Sequence, residues 1–94
     1  MQFEWDDRKE LANERKHGVS FLEARTVFGD PQALHEYDGP HSWGEERFII
    51  IGTSEERRVL CVVYVERIEE TFRLISARTA SLRERRAYEE KAIR

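Results

Sequence analysis

The sequence predicts an α+β fold in a single domain over residues 1–94: strand-helix-helix, then a four-stranded antiparallel meander, then a C-terminal helix. Three observations carry this. Helix-entry and helix-stop signals fall within the first thirty residues and again after residue 80. Between them lie runs rich in β-branched and aromatic residues, chief among them Phe48-Ile49-Ile50-Ile51 and Val59-Leu60-Cys61-Val62-Val63. The segments joining the last three of those runs, such as Ser54-Glu55-Glu56-Arg57 and Ile68-Glu69, have hairpin length, which makes consecutive strands antiparallel.

Each element follows from local chemistry. Gln2 to Trp5 alternates polar and apolar, which suits a short half-buried strand carrying Phe3 and Trp5 on one face. Asp6 and Asp7 can cap the helix that follows, and Asp7 with Glu10 resembles a helix-entry signal. That helix runs to His17, with Gly18 as its left-handed terminator. Its apolar content is thin (Leu11, Ala12), so a narrow stripe docks. Ser20 and Glu23 form a capping box for a second helix with a broader apolar face of Phe21, Leu22, Ala24, Val27 and Phe28, and Gly29-Asp30-Pro31 ends it.

Four strands are expected over Gln32 to Tyr37, Glu46 to Thr53, Arg58 to Arg67 and Glu70 to Arg78, with a turn at Asp38-Gly39-Pro40. Ser81 and Glu84 cap the final helix. The two early helices should cover one face of the sheet and leave the other partly open.

Composition narrows the function classes. Charged residues make up 37% of the chain, yet 39% are hydrophobic and patterned, which separates it from disordered compositions. The net charge of −3 divides unevenly: residues 1–46 carry five Lys/Arg against eleven Asp/Glu, and residues 47–94 carry eleven against eight. A polyanion would therefore meet a local patch and not a uniformly basic surface. The lone Cys61 cannot form an internal disulfide and reads as a small buried hydrophobe. There is no signal-peptide pattern and no run approaching the ~20 apolar residues of a membrane span, so a cytoplasmic protein is expected.

The candidate chemistry concentrates in the basic half. Arginine forks match phosphate oxygens bidentately and stay charged at any working pH. Strand alternation places Phe72, Leu74, Ser76 and Arg78 on one face and Arg73, Ile75 and Ala77 on the other; Val63, Val65 and Arg67 likewise share a face of the preceding strand. Arg47, Arg67 and Arg78 would then converge on a strand-end surface, where three cations can clamp a scissile phosphate. The alternative is that each is an edge charge paired with a glutamate. Tyr88, three residues after Arg85 on the last helix, either stacks on a base or docks the helix together with Leu82 and Ala92. Arg85 itself can pair with Glu89. His17 either caps its helix or acts in acid–base chemistry. His35-Glu36-Tyr37-Asp38 with His41 fits neither zinc nor calcium spacing, so no metal or other cofactor is expected.

Taken together, Trp5-Asp6, Asn13, Lys16-His17-Gly18-Val19-Ser20-Phe21, Ala24, Val27-Phe28 and Ile75-Ser76-Ala77-Arg78-Thr79-Ala80 with Glu84-Arg85 and Tyr88 resemble the BrnT family of type II toxins, which are RelE-like in fold. The resemblance covers nearly the whole chain. It implies a metal-independent endoribonuclease that cleaves messenger RNA and inhibits translation. It also implies a BrnA-like ribbon-helix-helix antitoxin, through which alone operator DNA is reached. Carried over to this sequence, it points to Arg78, Arg47, Arg67, Tyr88 and Glu66 as catalytic residues and to Arg85, Lys16 and His17 as RNA contacts. The rival reading is a non-enzymatic binding module, a co-repressor subunit that only modulates a DNA-binding partner; the acidic first half suits protein contact.

Overall fold

The computed structural model describes residues 1–39 and 44–93. Strand β1 (Gln2–Glu4) leads into α1 (Asp7–His17) and α2 (Phe21–Ala24), which tightens into a 3-10 turn over Arg25–Gly29. Strands β2 (Leu34–Tyr37), β3 (Phe48–Thr53), β4 (Val59–Ile68) and β5 (Thr71–Thr79) follow, and α3 (Leu82–Ile93) ends the described chain. The five strands form one mixed sheet in the order β1-β5-β4-β3-β2. From β2 to β5 the sheet is the antiparallel meander that the short linkers predict. The addition is β1, which lies parallel to β5 and pairs Phe3 with Phe72. The expected turn through Pro40, and His41, lie outside the described residues.

The caps work largely as their spacing suggests. Asp6 Oδ1 accepts from the Arg8 and Lys9 N–H groups at 2.9 and 3.1 Å, and Gly18 ends α1 at φ 68°. Glu10 takes a different task from the expected one: its carboxylate accepts the Phe21 N–H at 3.1 Å and ties the two helices together. Ser20 Oγ accepts from the Glu23 N–H at 3.1 Å, but Glu23 does not reach back. Instead its buried carboxylate accepts from Ser54 Oγ (2.7 Å) and from the Arg58 guanidinium, whose Nε lies 2.9 Å away. Arg58 holds the Glu23 carboxyl below its usual range, outweighing the opposing effect of burial.

The helices pack on one face of the sheet. Val19, Phe21, Ala24 and Val27 meet Ile50, Leu60, Val62, Leu74 and Ala77 there, all essentially without solvent contact. Burying each of the larger side chains contributes about 1.5–3 kcal/mol. An aromatic group of Phe3, Phe28, Tyr64 and Phe72 extends the core toward β1, with Phe3 and Phe28 edge to face at 5.0 Å. Gly52 permits a close approach: a Cβ there would stand 3.2 Å from Ala33 Cβ and 3.3 Å from both Asp30 Oδ2 and the Val27 carbonyl oxygen.

Two irregularities reset the face assignments expected from simple alternation. Val63 pairs with Ser76 while Tyr64 pairs with Leu74, so Ile75 is an extra residue on β5. Phe72 and Leu74 consequently join Ala77 on the helix-covered side, while Ser76 and Arg78 fall on the other. Glu66 pairs with Phe72 and Ile68 with Thr71, which leaves Arg67 as an extra residue on β4. The expected convergence of Arg67 with Arg78 fails because antiparallel pairing sets them at opposite ends of the β4–β5 pair, Arg67 near Thr71 and Arg78 beside Cys61.

α1 is tied to the sheet by one polar side chain. The buried Asn13 donates from Nδ2 to the Ala77 carbonyl (2.8 Å) and the Val19 carbonyl (3.0 Å), and its Oδ1 accepts the Ala77 N–H (3.0 Å). Since β1 pairs with β5 only from Thr71 to Arg73, the carboxamide serves the backbone of Ala77 beyond the end of that pairing.

Candidate functional site

The sheet face opposite α1 and α2 carries the residues that the register aligns in two rows: Ile51, Cys61 and Arg78 across the strands, and Ile49, Val63 and Ser76 beside them. α3 covers one part of this face through Tyr88, which packs with Ile51 and Cys61. The rest forms a concavity of about 290 Å³ lined by Asp38, Arg47, Ile49, Cys61, Val63, Ser76 and Arg78. Two of the three strand arginines therefore meet here. Arg47 enters from the residue just before β3, where its carbonyl accepts the Asp38 N–H at 2.8 Å, and Arg78 comes from the far end of β5. An apolar floor with cations at its rim lowers the local dielectric, and that strengthens their attraction for a phosphate.

Arg78 is held by a carboxylate. Its Nη1 and Nη2 donate to the two oxygens of Glu84 at 2.7 and 2.9 Å, in a bidentate fork. Glu84 also accepts the Ser81 N–H (2.8 Å), while Ser81 Oγ accepts the Glu84 N–H (3.2 Å), completing the capping box of α3. The Arg78 guanidinium lowers the Glu84 carboxyl to about 2. The glutamate partner that edge pairing supposes is thus real for Arg78. It stands on the next element, so it fixes the arginine at the strand–helix junction. Burial pushes the neighbouring Cys61 thiol up to about 12, which keeps it protonated and inert.

Tyr88 points into the protein interior. It is buried, its hydroxyl donates to Asp30 Oδ2, and it lies 2.9 Å from Thr53 Oγ1. Lys91 Nζ adds a bond to the Ala33 carbonyl at 2.9 Å. Of the docking stripe Tyr88, Leu82 and Ala92, only Tyr88 is buried; Leu82 is 64% exposed. Asp30 binds the underside of α3 in turn: burial favours its neutral form, but the Thr53 N–H, Tyr88 hydroxyl and Gln32 N–H together keep its carboxyl below the ordinary value.

The remaining candidates stand elsewhere. Arg67 and Glu66 line a separate concavity of about 380 Å³ with Glu45, Glu46, Phe48 and Val65, and Glu66 accepts the Glu70 N–H at 3.0 Å. Lys16 is exposed and His17 half-buried at the end of α1, on the helix layer, where the Gly18 carbonyl accepts from Arg58 Nη2 at 3.1 Å. Arg85 is exposed and 3.6 Å from Glu89, the i,i+4 pair its spacing suggests. His35 Nδ1 lies 3.4 Å from the Tyr64 hydroxyl, and no group of three or more metal-ligating side chains occurs among the described residues.

The family model for "Ribonuclease toxin, BrnT, of type II toxin-antitoxin system" matches residues 5–84. The chain belongs to the BrnT family. A BrnT chain is a ribonuclease toxin of a type II toxin–antitoxin system, as the Lys-His-Gly and Ile-Ser-Ala-Arg segments imply. Among solved structures, the Brucella abortus ribonuclease toxin BrnT shares the fold: TM-score 0.66, 24% identity, covering 86% of this chain and 97% of that one. No curated protein sequence matches. The matched span begins just after β1 and runs to the start of α3, and so includes Arg47, Arg67, Arg78 and Glu84.

The sequence assigns no task to Asn13, marks Asp30 only as part of a helix stop, and marks Glu84 only as a cap. Asn13 carried a signal, being a carboxamide on a helix with little else to dock, but its partner is a backbone group 64 residues away. Glu84 carried none, because its capping spacing already accounts for it.

Proposed function

We propose that this BrnT-family toxin is a metal-independent endoribonuclease that cleaves messenger RNA in the cytoplasm, halts translation, and is neutralised by a BrnA-like ribbon-helix-helix antitoxin. The observation that carries the proposal is the meeting of Arg47 and Arg78 at one concavity of the sheet face, within a ribonuclease family. The RNA supplies its own nucleophile: a ribose 2′-oxygen attacks the adjacent phosphorus, the bond from phosphorus to the 5′-oxygen breaks, and a 2′,3′-cyclic phosphate remains. The 2′-hydroxyl loses a proton and the 5′-oxygen gains one. Negative charge builds on the phosphate oxygens between these events, and the guanidinium groups of Arg47 and Arg78, the latter held by Glu84, stabilise it. Arg67 and Glu66 meet flanking nucleotides from the neighbouring concavity, while Lys16, His17 and Arg85 engage the backbone of a longer RNA outside the cleavage centre. The antitoxin covers the arginine surface and supplies the only route to operator DNA.

Arg78→Ala tests the reading. Expressed without an antitoxin, the wild-type chain should arrest growth and the variant should not. The purified wild-type chain should cut RNA in the presence of EDTA. A folded Arg78→Ala variant of full toxicity removes Arg78 from the mechanism, and loss of cleavage on adding EDTA refutes metal independence.

A further inference from the structure

Glu84 caps α3, yet a cap needs only one of its oxygens. Arg78 takes the second oxygen and shares the capping one, and the geometry of that contact selects which part of the guanidinium stays open. An arginine offers five N–H groups in two bidentate forks, one end-on between Nη1 and Nη2 and one side-on between Nε and Nη2. Glu84 takes the end-on fork at 2.7 and 2.9 Å, and Nη1 also reaches the Thr79 carbonyl at 3.4 Å. Nε makes no hydrogen bond among the described residues, so the side-on fork of Nε and the second Nη2 hydrogen stays open. Its owner lines the concavity on the sheet face, and the side chain remains 43% exposed.

We infer that Glu84 is the positioning residue of this ribonuclease: it grips the end-on fork of Arg78 so that the side-on fork is presented, preset, to the scissile phosphate. The inference rests on the catalytic reading of Arg78 given above and deepens it. An unheld arginine at the end of a strand samples many rotamers and must be ordered by the substrate during each turnover. A carboxylate anchored on the first turn of α3 removes that freedom beforehand. It also cancels one charge, so the arrangement sacrifices ground-state attraction for RNA and gains transition-state orientation. A residue serving only as a cap would show neither effect.

Four variants separate these roles, read by steady-state cleavage of a short single-stranded RNA and by binding of its non-cleavable 2′-deoxy counterpart. Glu84→Gln keeps an acceptor for the Ser81 N–H but turns an amide toward Arg78. It should lower kcat at least tenfold while KM stays level or falls, because the site gains one net positive charge. Ser81→Ala weakens the cap and leaves the fork intact; it should lower thermal stability with kcat within twofold of wild type. Glu84→Asp should recover part of the lost kcat. In the wild type, the Arg78 Nε–H resonance should shift when the 2′-deoxy oligonucleotide is added. A Glu84→Gln variant with wild-type kcat, or a Ser81→Ala variant that loses as much kcat, overturns the inference. Arg78→Ala distinguishes the two levels: full activity there removes the catalytic reading itself, whereas an inactive Arg78→Ala beside a fully active Glu84→Gln removes only the role of Glu84.

Discussion

Replacing Asn13 by alanine should destabilise the protein more than any other single polar change on α1. The carboxamide makes three hydrogen bonds in a buried setting, two to the backbone of Ala77 and one to the Val19 carbonyl. Each contributes about 1 kcal/mol net, and a buried Ala77 N–H left without a partner adds a desolvation cost of about 1–3 kcal/mol. Water entering the vacated space relieves part of that, which places the expected loss at about 3–4 kcal/mol. For a chain of this length, whose whole stability is of the order of 5–14 kcal/mol, such a loss is severe. It corresponds to a fall in Tm of about 15–25 °C.

The assay is urea unfolding followed by tryptophan fluorescence, since Trp5 stacks edge to face on the core residue Phe21 at 5.9 Å. Leu11→Ala, at a position 54% exposed on the same helix, serves as the control and should change stability by less than about 0.5 kcal/mol. Asn13→Asp is the sharper variant. It keeps an acceptor for the Ala77 N–H but sets a carboxylate oxygen against two carbonyls, so it should be at least as destabilised at neutral pH and recover as the carboxyl protonates. A loss below about 1 kcal/mol for Asn13→Ala, with an unchanged m-value, would refute the view that this side chain is the principal tie between α1 and β5.

Three further outcomes are expected. Tyr88→Phe removes the hydroxyl bonded to Asp30 and Thr53 and should cost about 1–2 kcal/mol by urea unfolding, yet leave RNA cleavage within a few-fold; a folded variant without activity would show that the hydroxyl acts on RNA. Glu23, Asp30 and Glu84 all have folded-state carboxyls below their ordinary values, so the unfolded chain binds more protons. The urea midpoint should therefore fall as pH drops below about 4.5, with the share owed to Glu84 disappearing as pH approaches about 2, and Glu84→Gln should flatten that decline. Converting Arg47, Arg67 and Arg78 together to alanine should weaken antitoxin binding, and raised salt should slow association with the wild type; equal affinity, measured by calorimetry on folded protein, would move the interface to α1 and α2.

Much of the fold was legible because its determinants are local. Gly18 could only terminate α1, Ser81 and Glu84 could only open α3, and the short linkers after residue 53 left no room for parallel crossovers among β3, β4 and β5. The parallel docking of β1 on β5 was not legible, since it pairs residues some 70 positions apart and three-residue strands carry almost no pattern of their own. The same holds for Asn13. A side chain that bonds to backbone has no partner residue whose identity betrays it.

The site was half legible, and the missing half turns on where the sheet breaks its alternation. Arginine at a strand exit marks Arg78. Regular pairing sets it beside Cys61 and sets Phe48, next to Arg47, beside Tyr64, so the two arginines line one concavity from opposite sides of the Ile49–Val63–Ser76 row. Strict alternation would put Arg78 on the same face as Leu74, under the helices, where an ionised side chain would lose its hydration. The extra residue Ile75 prevents this: it lets Leu74 enter the core and still turns Arg78 toward the open face. Arg67 is kept from the row by the antiparallel register itself, which sets it near Thr71 at the other end of β4, where a second extra residue falls. No residue type announces either bulge, because Ile75 and Arg67 are ordinary strand residues. One skipped pairing thus decides both that the core closes over Leu74 and that the guanidinium reaches the concavity. Deleting Ile75 should therefore abolish folding or cleavage together, whereas substituting it by valine should spare both.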